Sequence, residues 1–295
     1  MNKKITRRIA LGMIIGGLAV APFVVRSFRN SRKDISSNYA YGDINIPLDK
    51  IDSDLDLSKR KKALEIFVKE RNRWLQFRGF EGKIDARTIF LSSNQEIMQN
   101  GFFTLTFDYK KFPEERFGGL SLANLNMKFS NSKHDSSIWS FTLDDRRSRK
   151  HSLTGSNVKG IEWENMFQLF VGLTTALPGC TNGHFVEMLP VMVVTEDSEQ
   201  PNTNSFVFAP NSKLSSDGFQ NPTLKFSQGL LSTTIPKRQP DTPYPVSQMS
   251  DYANSNGFMF PRKYSLSPVN NGGILTEEQN REFSVSVSEC TVFHV

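Results

Sequence analysis

Apolar and polar residues alternate strictly in several short stretches of the chain, and this alternation constrains the fold more than any other feature. In residues 103–109, Phe, Leu, Phe and Tyr alternate with Thr, Thr and Asp. Successive side chains of a β-strand point to opposite faces, so each stretch has one apolar face and one face for water. Comparable stretches occur around residues 80–87, 125–129, 139–143 and 283–288. The pattern predicts a mainly β (α+β) chain whose consecutive strands form an antiparallel sheet.

One amphipathic helix is predicted ahead of these strands, from Leu57 to Phe77, with Ser58 as its N-cap. Apolar residues recur there at intervals of three and four, which places them on one side of a helix. A second, short helix is predicted over residues 162–173, although a buried strand fits the same letters. Residues 228–257 contain four prolines and are predicted to form a long loop. The stripe of the first helix, with one basic interruption, consists of Leu64, Phe67, Val68, Arg71 and Leu75.

Residues 1–33 have the charge pattern of a leader for export. Basic residues precede an apolar run over 9–25, and such an order directs a segment into the membrane. Arg7 and Arg8 resemble the paired arginines of the twin-arginine signal, but ordinary secretory signals are also basic at this point, so both routes stay open. The body is therefore expected outside the cytoplasm, either in the periplasm or anchored to the inner membrane.

Cleavage of the leader is ambiguous in the sequence. Ala19-Val20-Ala21 has the small residues that a signal peptidase needs, but Pro22 follows directly and disfavours cleavage there. An uncleaved transmembrane helix is the alternative, since the apolar run is close to the minimum length that spans a bilayer. The predicted organisation is a signal peptide or membrane anchor over 1–33, a linker over 34–57 and a single antiparallel-sheet domain over 58–295.

The basic character of the chain belongs to the leader, which holds eight basic residues and no acidic one. The remaining chain has 28 basic and 30 acidic residues, so it has no overall field that would attract a polyanion. Nucleic acid is therefore excluded as a partner. Cys180 and Cys290 are the two cysteines, and an oxidising compartment would allow a disulfide between them; two separate buried thiols are the alternative.

The sequence contains no recognisable arrangement of catalytic or metal-binding residues. There is no nucleotide-binding glycine motif, no serine-hydrolase elbow and no spacing suited to zinc, so no cofactor and no metal are expected. Asp144-Asp145 followed by Arg146-Arg147 is most simply a charged turn. These observations favour a role other than catalysis, and an envelope hydrolase ranks last. The histidines, none of them in a metal-binding pattern, are His134, His151, His184 and His294.

The order of elements resembles the lipoprotein-carrier families LolA and LolB and their relatives. An export leader and an amphipathic helix precede alternating strands, and the late strand Asn256-Gly257-Phe258-Met259-Phe260-Pro261 is similar to a family strand with glycine four residues before proline. The stretch from Gly101 to Pro113 is similar to the family's early strand. The chain departs from the families in its extra loops around 196–257, its greater length, and the lack of the acylated cysteine of LolB-like members.

This resemblance implies a curved antiparallel sheet or half-barrel with an apolar concave face for acyl chains. The first functional hypothesis is therefore an extracytoplasmic binding protein for an apolar ligand, such as a lipid or a lipoprotein acyl chain. The alternative is a structural or interaction protein of the cell envelope, whose apolar sheet face is a closed core. The sequence leaves both open. The residues predicted to line the face are Phe103, Leu105, Phe107, Met127, Phe129, Trp139 and Phe141.

Deletion of residues 1–33 is expected to release the protein from membranes. The rest of the sequence has no other apolar run of about 18 residues, so no second segment should enter a bilayer. The measurement is sedimentation of the truncated protein with membranes in high salt, beside the full chain as control. Truncated protein that still pellets with membranes would contradict the assignment of the anchor to this segment.

Overall fold

The computed structural model describes residues 52–111, 120–130, 139–143, 152–155, 192–210, 223–235, 246–268 and 280–295, together with Leu169 and Leu173. The leader, most of the predicted linker, Cys180 and the charged turn at Asp144 lie outside these residues. The predictions made for them remain predictions. Within the described ranges, no helix combines the length and the apolar character that crossing a bilayer requires.

Thirteen strands form one curved sheet that does not close into a barrel. Their order is β1-β7-β8-β9-β10-β11-β12-β13-β2-β3-β4-β5-β6. Each strand from β2 to β6 and from β7 to β13 pairs with the next one in sequence, and β13 pairs with β2. The predicted antiparallel sheet of consecutive strands is thereby confirmed; only the short β1 pairs in parallel, with β7. The strands are β1 (Asp52–Ser53), β2 (Phe77–Phe90), β3 (Gln95–Lys111), β4 (Leu120–Ser130), β5 (Trp139–Leu143), β6 (Ser152–Gly155), β7 (Met192–Glu196), β8 (Phe206–Pro210), β9 (Thr223–Ser227), β10 (Leu230–Ile235), β11 (Val246–Ser255), β12 (Phe258–Ser267) and β13 (Arg281–His294).

Helix α1 (Leu57–Gln76) begins where the sequence predicts and ends one residue before the predicted Phe77, and its N-cap is Asp56 and not Ser58. The Asp56 carboxylate accepts a hydrogen bond of 2.8 Å from the Lys59 amide, while the Ser58 hydroxyl donates to the same carboxylate. These two hydrogen bonds lower the pKa of Asp56. A carboxylate at this position also suits the positive end of the helix dipole.

The prediction of a loop over residues 228–257 is wrong, because β10 and β11 lie within that range. All four prolines fall in residues 236–245, which lie outside the described part, so they interrupt neither strand. The hairpins on either side turn at Gln228-Gly229 and Asn256-Gly257, where all four residues have positive φ. Two successive residues of this kind form the turn that best matches the twist of paired strands.

Alternation places one apolar face of the sheet inside the molecule. Strand β2 shows this directly, since Phe80, Ile84 and Ala86 are buried while Asp85 and Arg87 are exposed. Helix α1 packs on this inner face, with the Phe67 ring centroid 5.3 Å from that of Phe208. The buried side of α1 is rotated relative to the predicted stripe, since Leu64, Val68 and Leu75 are only half-buried. The buried residues of the helix are Ala63, Phe67, Glu70, Arg71 and Trp74.

A buried carboxylate fastens α1 to the sheet. Glu70, which is 1% exposed, accepts hydrogen bonds from the backbone N–H of Leu231 at 2.9 Å and from the Trp74 indole at 3.0 Å. Arg73 pairs with the same carboxylate at 2.7 Å and donates to the Met259 carbonyl. The Arg73 guanidinium also lies 4.6 Å from the centre of the Trp74 ring, a favourable distance for a cation–π contact. The Glu70 carboxylate thus connects the helix with β10, and Arg73 connects it with β12.

Replacing Glu70 with Gln is expected to lower the free energy of unfolding by about 2 kcal/mol, because the charged acceptor of several buried donors is lost. Glu65→Gln is the matched control, since Glu65 is an exposed residue of the same helix and should be neutral. Urea denaturation followed by circular dichroism measures both. Equal stability of the two variants would show that the Glu70 contacts do not hold the helix on the sheet.

Candidate ligand-binding face

The apolar residues predicted as a ligand face are brought together on the inner side of β3, β4 and β5. Phe103 is directly opposite Phe129, and Leu105 is directly opposite Met127. Residues directly opposite each other in a sheet project to the same face. Strand β5 continues both rows, because Trp139 is opposite Phe129 and Phe141 is opposite Met127. We call this part of the inner face, formed by β3, β4 and β5, the apolar arm.

Of the residues predicted to line the face, the five whose side chains are described are all buried. Leu105 has no exposed surface, and Phe107 is the most exposed of the five at 3%. Trp139 and Phe141 are placed by strand register alone. The face is therefore covered in this conformation and is not an open groove. The five are Phe103, Leu105, Phe107, Met127 and Phe129.

Phe107 joins the apolar arm to the aromatic centre of the molecule. The strand pairing shifts between Thr106 and Asp108, where Phe107 faces two residues of β4, Asn124 and Leu125, so the bulge is in β4. Its ring centroid is 5.6 Å from that of Phe77, at an interplanar angle of 64°. Phe77 is also 5.7 Å from Phe260 and 5.3 Å from Trp74, measured between ring centroids. Phe107 follows Leu105 on the inner face by ordinary alternation and contacts this cluster at the end of α1.

Gly101 makes room for an aromatic ring in the apolar arm. A Cβ atom at this position would lie 2.7 Å from Cζ of Phe129 and 2.4 Å from the carbonyl oxygen of Ser130. Both distances are far below ordinary van der Waals contact, so only glycine allows the Phe129 ring to lie over the strand. The ring occupies the recess that Gly101 leaves.

Helix α1 and the chain between β6 and β7 both contribute residues to the apolar core beneath the inner face. Among the described contacts, α1 reaches the β8–β9 part through Phe67 and the β12 part through Trp74. Leu169 and Leu173 are helical residues from the chain between β6 and β7, and both are fully buried in the same apolar core. They are four residues apart and so lie on one side of a helix. The described part of the predicted 162–173 helix is therefore helical.

No charge lies within the described part of the apolar arm. None of the buried residues in the described portions of β2, β3 and β4 is ionisable; Thr88 and Gln99 are the polar ones. The described residues also contain no group of three or more side chains able to hold a metal. His294 lies on the surface, with Nε2 2.7 Å from the carbonyl oxygen of Asn256. The described part of this face therefore offers an uncharged surface to an apolar ligand.

The thiol of Cys290 lies partly buried beside the core, in a bulged part of β13. Burial raises its pKa to about 11, so a free thiol here would be protonated and unreactive at neutral pH. Its predicted disulfide partner Cys180 lies outside the described residues, and the pairing stays a prediction.

The sequence did not indicate the polar cluster around Glu70 and Arg73. Neither residue belongs to the predicted apolar stripe of α1, yet Glu70 is buried and Arg73 is largely so. Glu70 and Trp74 are four residues apart, and a carboxylate one turn before a buried indole was the available signal. The carboxylate also accepts a hydrogen bond from the backbone N–H of Leu231, which lies far away in sequence, so this contact could not be predicted.

No known family of proteins matches this chain by sequence model, and no curated protein matches it. Solved structures do resemble it. A domain named for outer membrane lipoprotein sorting, from Vibrio parahaemolyticus, is 7% identical over 79% of this chain and 92% of that chain, with a TM-score of 0.39. A DUF1329 family protein from Desulfovibrio piger has 6% identity, the same coverage of both chains and a TM-score of 0.39.

A LolA superfamily protein from Nitrosomonas europaea is 10% identical over 79% of this chain and 94% of that chain, with a TM-score of 0.38. The resemblance to LolA-like carriers noted in the sequence is thus found again in the solved structures. At these identities and scores the likeness concerns architecture only. What this chain binds has to be inferred from its own residues.

Proposed function

We propose that the protein is an extracytoplasmic carrier or binding protein for an apolar chain, with the apolar arm as its binding face. The observation that supports this is the uninterrupted, uncharged run of large apolar side chains across β3 and β4, in a sheet that does not close. The ligand would be a lipid or the acyl chain of a lipoprotein. Such a ligand needs apolar surface and no specific polar partner.

The apolar arm differs from the part of the face beneath α1 in how it is covered. Charge-assisted hydrogen bonds of Glu70 and Arg73 hold helix α1 on the sheet. These bonds are directional, so an apolar ligand could not replace them. Leu169 and Leu173, from the chain between β6 and β7, are buried in the same apolar core, and in this proposal they cover the apolar arm by apolar contact. Apolar contact is non-directional, so an acyl chain could take the place of these two side chains.

The free energies of burial allow an acyl chain to replace the two leucine side chains. Burying one leucine side chain stabilises a protein by about 1.5–3 kcal/mol, so losing both contacts costs about 3–6 kcal/mol. Burying an acyl chain gains about 0.8 kcal/mol for each methylene group. About four to eight buried methylene groups therefore offset the loss, and common membrane acyl chains are longer than that. In this proposal Leu169 and Leu173 act as a displaceable cover.

The predicted leader fits this role, since a lipid carrier of the envelope works next to a membrane. The protein is proposed to be exported and to act in the periplasm or from an anchor in the inner membrane. Its partners are then the membrane, through residues 1–33, and a lipid or lipoprotein, through the apolar arm. The near balance of charges beyond the leader speaks against nucleic acid.

A second candidate function has one observation in its favour. The five described side chains of the apolar arm are at most 3% exposed, as they would be in a permanently closed core. In that case the protein is a structural or interaction component of the envelope without a small-molecule ligand. The two candidates differ in whether the cover over the arm can leave.

Two buried methionines separate these candidates. Met127 lies in the apolar arm and Met192 in β7, and each has at most 1% of its surface exposed. Glutamine is close to methionine in length but brings an amide that is costly to bury. Met127→Gln and Met192→Gln are therefore expected to lower stability similarly. Only Met127→Gln should also weaken the binding of a fluorescent fatty acid, by about tenfold.

The protein for this experiment is purified from its host under native conditions, and urea midpoints are measured beside the binding curves. Native mass spectrometry of the parent protein is expected to find a co-purified lipid. If no lipid is found and no variant or parent binds the fatty acid, the inner face is a closed core and the second candidate stands. Equal weakening by both substitutions would place the ligand outside the apolar arm.

A further inference from the structure

The outer face of the sheet carries a row of residues with one member on each of seven neighbouring strands. Every member is directly opposite the next, because the strand registers line up without a gap. Neighbouring strands lie about 4.8 Å apart, so the row extends for roughly 30 Å across the sheet. In order from β9 to β3, the row consists of Lys225, Thr233, Gln248, Ser265, Ser284, Arg87 and Met98.

All seven residues of this row line a groove of about 900 Å³. The middle of the row has short hydroxyl side chains, Ser265 and Ser284. Longer side chains lie on either side of them, Lys225 at one end and Arg87 and Met98 at the other. Short residues between long ones leave a hollow in a face that would otherwise be filled by side chains. Ser250 and Ser286 add further hydroxyl groups to the lining. We call this feature the outer groove.

The three cations that line the outer groove are each paired with an acid. Arg87 is held by Glu96 at 2.7 Å, and Lys225 by Glu199 at 3.3 Å. Lys263 has its Nζ 3.7 Å from Asp251. The pair with Glu96 also raises the pKa of Arg87. Each cation thus has its own acid, and Asp85 and Asp197 also line the groove, so it offers no excess of positive charge to a polyanion.

The backbone of these strands is not available to a ligand. Each strand from β9 to β3 in the sheet order has a hydrogen-bonded neighbour on both sides. A peptide recognised by a sheet normally adds to an edge strand through its main chain, which this position does not allow. The available groups are side-chain hydroxyls, amides and paired charges, repeated at the spacing of the strands.

We infer that the outer groove binds an uncharged, hydroxyl-rich polymer, namely a glycan chain that lies across the strands. The length of one sugar ring in an extended glycan is comparable to the strand spacing, so successive rings would meet successive members of the row. Hydroxyl groups of the ligand can both donate to and accept from serine, threonine and glutamine side chains. This site is on the opposite face from the apolar arm and does not depend on the function proposed there.

The test measures binding of cellohexaose and chitohexaose to the full chain, purified from its host, by isothermal titration calorimetry. At least one of these uncharged hexasaccharides should bind, with an affinity that changes little with salt. Ser284→Gln places a longer side chain in the middle of the groove and is expected to weaken binding about tenfold. Ser288→Gln is the matched control, because Ser288 is exposed on the same strand and face but does not line the groove.

Three results would overturn the inference. One is the absence of binding by both hexasaccharides, and another is a Ser284→Gln variant that binds as tightly as the parent. The third is binding of heparin in preference to the neutral sugars, with an affinity that falls steeply with salt, since that would identify a polyanion site. Circular dichroism of both serine variants checks that the sheet is intact.

Discussion

The pairing of β13 with β2 is the interaction on which the rest of the structure depends. Twelve residue pairs connect the last strand of the chain with its first long strand. This pairing joins the strands β2 to β6 and the strands β7 to β13 into one sheet. The hydrogen bonding continues to the end of α1, where the backbone N–H of Val295 donates to the carbonyl of Gln76 at 3.1 Å. Without this ladder each half would expose an unpaired edge and half of an apolar face.

The same ladder gives the sheet two continuous faces of opposite character. Val285 lies opposite Ala86 on the inner face, while Ser284 lies opposite Arg87 on the outer face. Because side chains alternate along every strand, a register fixed at this central pair is passed on to the strands on both sides. The apolar arm and the outer groove are therefore consequences of one alignment. A slip of one residue between β13 and β2 would mix polar and apolar side chains on both faces.

The sequence was sufficient to predict the sheet, because alternation with large apolar residues is visible in β2, β3, β4 and β13. The sequence did not predict β10 and β11, because these strands are rich in small polar residues. The nearby prolines favoured a loop there, although Asn256-Gly257 is a typical hairpin turn. Alternation was enough to predict which residues share the apolar face. It could not predict that this face is buried, since burial depends on which distant segment packs there. The Glu70 cluster and the seven-strand row could not be predicted, because both need the register between strands far apart in sequence.

The central claim is that the cover over the apolar arm can be displaced by an acyl chain. Photo-crosslinking with a fatty acid that carries a diazirine near its chain end, followed by peptide mapping, tests this most directly. If the cover is displaced, crosslinks are expected at residues 101–107 of β3 and 124–129 of β4, and unlabelled fatty acid should compete with them. Crosslinks confined to exposed residues, or none that unlabelled fatty acid removes, would contradict the claim and identify the inner face as a closed core.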